Sequence, residues 1–303
     1  MRSFVAVVAA LLAISGCRPD APPPDAAPIA EFASDRITVV TRGTGPDLIL
    51  VPGLASLRDV FAGVADSLDD RYRLHLVQVN GFAGLPPGPN VSGPVSAPVA
   101  EEIARYIREM ELDRPTLVGH SMGGTIGMML ATRHPESIGR LMIIDVVPYL
   151  GAVFSPPGAT PEQVRQNADG LRGRIIADTA GAMLEQMFSE MTRTDSLRPM
   201  LLEGVRATDR QTAGNAMHEL IITDLRPELA RITIPVTVLY VVPGNVPLTP
   251  EQFDNSMRES YASLPHVRLV RVDNSNHFIM FDQPGRVVAE VDTLMRQQPP
   301  PRN

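Results

Sequence analysis

The sequence predicts an α/β fold built on a mostly parallel sheet, and three observations carry that expectation. Short apolar runs alternate with helical patterns along most of the chain, the order that strand–helix–strand units impose. One of these runs passes through Gly119-His-Ser-Met-Gly123 straight into a helical stretch. The alternation then stops between Tyr149 and Arg231, where the chain turns helical and methionine-rich and no strand-like run occurs.

In chain order, the strand-like runs are residues 37–41, 48–51, 74–79, 116–118, 141–144, 236–241 and 267–272. Between them, Val60, Val64 and Leu68 recur at i, i+4, and Ile103, Tyr106, Ile107 and Met110 share one helical face. Residues 122–133 make a third helix, closed by His134-Pro135, and Val287, Val288, Val291, Leu294 and Met295 mark a last amphipathic one. The core therefore spans residues 32–149 and 231–303, with residues 150–230 as a helical insertion. Met183, Met187, Met191, Met200 and Met217 of the insertion read as core filler, because the flexible thioether fits irregular gaps.

The N-terminus stands apart from this pattern. MRSFVAVVAALLAISGC sets Arg2 before an apolar run from Phe4 to Ile14, followed by Ser15 and Gly16. That is the order of a secretory signal, and the run is too short to span a bilayer. Ile14-Ser15-Gly16-Cys17 resembles the bacterial lipobox, which implies that residues 1–16 are removed and that the thiol of Cys17 is lipidated. Residues 17–31 then form a Pro/Ala/Asp-rich tether. The expectation is a cell-envelope protein attached to a bacterial membrane through Cys17. A plain secretory signal with an incidental cysteine is the alternative.

Composition narrows the function. Of 303 residues, 44% are hydrophobic and 20% charged, as in ordinary globular chains. A net charge of −7 gives no reason to expect a nucleic-acid partner. Cys17 is the single cysteine, so no intrachain disulfide forms, and the six histidines are scattered without metal-ligand spacing. No metal and no cofactor are expected.

The chemistry points to Ser121. Gly119-His-Ser-Met-Gly123 in a strand–turn–helix setting is the nucleophile elbow, where close approach of strand and helix demands glycines two residues either side of a strained serine. The N-terminal end of the following helix adds positive potential at the reacting centre. Acyl transfer also needs oxyanion donors. The backbone N–H of Met122 is one candidate, and that of Leu54, after the apolar run 48–51 and Pro52-Gly53, is the other. The base must be a histidine beyond the last strand. His277 fits, whereas His75, His134, His218 and His266 do not, and His120, beside the serine, is expected to point away from it.

Val51-Pro-Gly, Asn80-Gly-Phe-Ala-Gly, Gly119-His-Ser-Met-Gly-Gly and Asn276-His-Phe-Ile-Met-Phe-Asp-Gln-Pro resemble, in order and spacing, the lid-bearing α/β-hydrolase superfamily. The resemblance runs from about Ile37 to Met295 and implies an eight-stranded sheet whose helical cap closes over the site. It departs at Pro52-Gly53, where many relatives carry His-Gly. It also places an aspartate after the strand 236–241, but the loop there, Val242-Pro-Gly-Asn-Val-Pro-Leu-Thr-Pro, has no carboxylate before Glu251. Asn245 stands nearest that place and is neutral. Asp145, at the end of run 141–144, is the favoured acid, with Asp254 or no acid at all as alternatives. The expected reaction is hydrolysis of a small-molecule carboxylic ester through an acyl-enzyme. Thioester, C–C or peracid chemistry on the same serine, or a non-catalytic apolar-ligand lipoprotein, are the alternatives. Acyl preference and oligomeric state stay open.

Overall fold

The computed structural model describes residues 32–244 and 248–301; the expected signal (1–16), Cys17 and tether (17–31), and Asn245, lie outside them. Eight strands form one sheet: β1 (Phe32–Ala33), β2 (Ile37–Arg42), β3 (Asp47–Val51), β4 (Arg73–Val79), β5 (Thr116–His120), β6 (Arg140–Ile144), β7 (Val236–Tyr240) and β8 (Val267–Arg271). The order is β1-β2-β4-β3-β5-β6-β7-β8. β2 runs antiparallel to β1 and β4, and the remaining pairs are parallel. β1 supplies the eighth strand and was not readable from the runs, since two residues carry no periodicity. Leu48, Ile49 and Leu50 and all of β5 are buried, as continuous apolar runs in a sheet covered on both faces should be.

Helices α1 (Ala62–Asp66), α2 (Ser96–Glu109) and α3 (Met122–Arg133) belong to the first half of the core. The insertion between β6 and β7 holds α4 (Gly151–Phe154), α5 (Pro161–Ala177), α6 (Ala182–Ser189), α7 (Arg198–Ala207) and α8 (Arg210–Ile222). The core resumes with α9 (Pro250–Ser260), α10 (Ile279–Asp282) and α11 (Pro284–Met295). α5 and α9 open on the same four residues, Thr-Pro-Glu-Gln. In both, threonine and glutamine form a reciprocal capping box around proline at the first turn.

Two carboxylates stitch the insertion to the core. Glu219 of α8 is buried and accepts from the backbone N–H groups of Val95, Ser96 and Ala97. It thereby satisfies the start of α2, which has no side-chain cap of its own. Asp282 of α10 accepts from Thr192 Oγ1 (2.8 Å), Arg193 N (2.9 Å), Thr194 N (3.0 Å) and Thr194 Oγ1 (2.8 Å) on the insertion. It also takes the N–H of Asn276 at 2.8 Å on the core side. Burial raises the Asp282 carboxyl, but these donors outweigh it and hold the group below the usual carboxylate range.

Candidate active site

Sheet register assembles the site at the C-terminal ends of the strands, where ligands of this sheet type bind. His120 pairs with Ile144 across β5 and β6, so the next residues, Ser121 and Asp145, leave the sheet side by side. Both carry positive φ, 52° and 54°, an uncommon conformation for residues with a Cβ that stores about 1–3 kcal/mol of strain. The strain is held by the backbone. Ser121 N–H donates to Ile144 O at 2.8 Å, and Asp145 N–H donates to Leu239 O at 2.8 Å.

The glycines act as the elbow requires. A Cβ on Gly119 would strike the carbonyl of Gly123, and one on Gly123 would strike the carbonyl of Val51. The loop after β3 also comes close, since a Cβ on Gly53 would lie 3.2 Å from Ser121 Cβ. That loop is fixed from β4, where Gln78 Nε2 donates to Ser56 O (3.1 Å) and Gln78 Oε1 accepts from Arg58 N (2.7 Å). Among the described residues, neither Leu54 N–H nor Met122 N–H donates to a backbone oxygen, so both remain available.

His277 Nδ1 lies 2.7 Å from Asp145 Oδ2, and Asp145 Oδ1 accepts from Val241 N at 3.0 Å. A carboxylate partner fixes the proton of the neutral ring on Nδ1 and leaves a lone pair on Nε2. Next to this carboxylate, the buried Tyr261 hydroxyl donates to Val146 O at 2.6 Å; burial, and then the charge of Asp145, push its pKa well up. The backbone on either side of His277 is tied to the insertion: Asn276 Nδ2 donates to Glu190 O (2.8 Å) and Phe278 N to Met191 O (2.9 Å). Asp254, the alternative acid, is committed elsewhere, to the Tyr240 hydroxyl at 2.8 Å and to Arg271.

His120 does not point clear of the site as expected. Its ring packs 4.6 Å from that of His277, and Nε2 sits 3.1 Å from His277 O. A carbonyl only accepts, so Nε2 bears the proton and the buried Nδ1 has no hydrogen-bond partner among the described residues. Burial, reinforced by neighbouring His277, holds this imidazole well below the ordinary histidine value.

Ser121 and His277 line two adjoining cavities. The inner one, about 120 Å³, runs from Gly53 and Leu54 to Met187, Phe188, Met191, Met217, Leu220 and Phe278. The outer one, about 190 Å³, also touches Asp145 and is walled by Val146, Val153, Val241, Phe253 and Met257. Three of the methionines read as core filler, Met187, Met191 and Met217, thus face the serine; helical spacing marks a buried face but not what it is buried against. Asp282, which joins the insertion to the His277 loop, is not singled out by the sequence reading, although it stands in Phe-Asp-Gln-Pro. Its signal, a carboxylate within an otherwise apolar segment, was present.

Comparison with known proteins agrees with this architecture. Residues 48–291 match the model of the alpha/beta hydrolase family. The pimeloyl-[acyl-carrier protein] methyl ester esterase of Aeromonas hydrophila is 31% identical over 73% of this chain and 88% of its own. The enzyme of the same name from Nitrosomonas europaea is 27% identical over 85% and 99%. Among solved structures, an enol-lactonase from Burkholderia xenovorans superposes with a TM-score of 0.71 at 17% identity, covering 86% of this chain and 96% of that one. A thermophilic esterase from Thermogutta terrifontis gives 0.70 at 18% identity, covering 86% and 93%. At such identities the two structures speak for the fold alone.

Proposed function

The chain belongs to the alpha/beta hydrolase family, and from that premise we propose that it is a serine hydrolase that cleaves carboxylic esters through an acyl-enzyme. The observation that carries the reading is the 2.7 Å contact of Asp145 with His277 beside cavities that His277 and Ser121 share. The relatives named for methyl ester hydrolysis support an ester carbonyl as the target.

In this reading Ser121 Oγ attacks the carbonyl carbon while His277 Nε2 takes its proton. The developing oxyanion rests on the amides of Leu54 and Met122 and on the N-terminus of α3. The carbon–oxygen bond to the alcohol breaks and the alcohol leaves with the proton from His277. Water then adds to the acyl carbon, giving its proton to His277, and the acid departs as Ser121 recovers its hydrogen. Asp145 holds the ring orientation and offsets the charge of the imidazolium. Ser121 Oγ makes no hydrogen bond among the described residues, as is common before substrate draws such a site together.

The test is Ser121→Ala, assayed on p-nitrophenyl esters and with a fluorophosphonate probe. Loss of labelling and a fall in kcat of about 10⁴-fold or more are expected. A folded variant that keeps a tenth of wild-type kcat removes the proposal. The pattern of residues 1–31 supports a second element of the reading, a lipid on Cys17 that holds the enzyme at a membrane of the cell envelope.

A further inference from the structure

We infer that the site is selective for esters of short, uncharged acyl groups, and that Met187, with Phe154, is the wall that sets the chain length. This rests on Ser121 acting as the acyl acceptor. The two cavities meet at Ser121, His277, Leu150 and Phe154 but differ in character. The alcohol must take a proton from His277 and then escape, which suits the outer cavity, whose rim residues Val153 and Phe154 are 66% and 40% exposed. The acyl group stays attached while water reacts, which suits the inner cavity, bounded by the oxyanion loop and the cap.

Size and polarity of the inner cavity set the substrate class. An engineered apolar cavity of about 150 Å³ holds benzene. By that measure the 120 Å³ here takes a group of roughly four to six carbons. Among the described residues, no Arg, Asp or Glu lines it. Its polar side chains are occupied or neutral: Ser56 Oγ donates to Leu54 O, and burial keeps His120 uncharged. An acyl chain ending in a carboxylate would be buried there without a partner, which is strongly unfavourable.

Two residues of the cap separate the cavity from a further space. On the far side of Phe154 and Met187 lies a groove of about 510 Å³ with Leu171, Ile221, Asn167 and Arg174 on its walls, and Phe154 and Met187 line both spaces. Removing the Met187 side chain joins them. Met187 is only partly buried, so its truncation leaves the core intact.

The experiment is a kcat/KM series on p-nitrophenyl esters from acetate to dodecanoate, for wild type, Met187→Ala and the control Met200→Ala, which packs on the core away from either cavity. Wild type and Met200→Ala should peak between butyrate and hexanoate and fall at least 10-fold by decanoate. Met187→Ala should move the peak by two or more carbons and raise decanoate turnover at least 10-fold. A wild-type profile that is flat or peaks at long chains, or a Met187→Ala profile identical to wild type, overturns the inference while Ser121-dependent turnover keeps the ester reading. Absence of turnover at every length together with absence of fluorophosphonate labelling overturns that reading and the inference with it.

Discussion

Asp145 and His277 stand 132 residues apart in sequence, yet their side chains meet at 2.7 Å. Asp145 leaves the end of β6 beside Ser121 and from there reaches the imidazole of His277. This placement separates the two carboxylates that the sequence left in competition. Asp145→Asn should lower kcat by about 10²-fold or more with the fold intact, because an amide no longer holds the ring or offsets its charge. Asp254→Asn should stay within threefold of wild type, since its carboxylate serves Tyr240 and Arg271. Steady-state kinetics on the two variants decides, and a near-normal Asp145→Asn would return the search for an acid to the start.

His120 holds the main chain at His277. Its Nε2–H donates to His277 O and its ring lies against that of His277. His120→Ala should cost about 5-fold in kcat with KM within twofold, in keeping with loss of one buried hydrogen bond of about 1 kcal/mol. His120→Gln, which keeps a donor, should recover most of it.

The same histidine makes stability depend on pH. Burial lowers its folded pKa below the ordinary value of 6.5, so the unfolded chain binds the proton first as pH falls. Its contribution is then a loss of stability below about pH 6.5 with a limiting slope of about 1.4 kcal/mol per pH unit. Urea midpoints measured from pH 5 to 8 should show a shallower decline in His120→Gln than in wild type. Parallel curves for the two proteins would contradict the assignment.

Asp282 joins the His277 loop to residues 192–194 of the insertion. Asp282→Ala should lower Tm by roughly 5–10 °C, from the loss of about 2–3 kcal/mol of charge-assisted hydrogen bonding. Its lowered pKa gives stability that is present above the ordinary carboxylate value near 3.8 and lost as pH falls through the folded value. Thermal melts of wild type and Asp282→Asn should therefore converge at acid pH. If they stay a constant distance apart down to pH 3, the carboxylate is not the source.

The proposed lipid on Cys17 predicts where the protein fractionates. Wild type should sediment with membranes and incorporate a fatty-acid analogue, and Cys17→Ser should do neither. Unlabelled wild-type protein in the soluble fraction would favour a plain secretory signal.

What the sequence determined by itself was whatever rests on local pattern. Seven of the eight strands, the elbow at Ser121 and the late histidine were legible because alternation, glycine spacing and chain order are properties of neighbouring residues. So was the helical character of the insertion. α9 was not read from the sequence, because the run of periodic apolar residues is absent there, although Thr249-Pro-Glu-Gln carries the same capping box as Thr160. Tertiary structure alone decided which acid meets His277, because the register of β5 on β6 and the path of the 273–278 loop are sums of many distant contacts. It also decided that Met187, Met191 and Met217 line a cavity besides packing on the core, whereas Met183 and Met200 pack on the core without lining it. A methionine's spacing shows that one side of a helix is buried; only the packing of the insertion over the strand ends shows whether the space beyond it is filled by protein or left for a substrate.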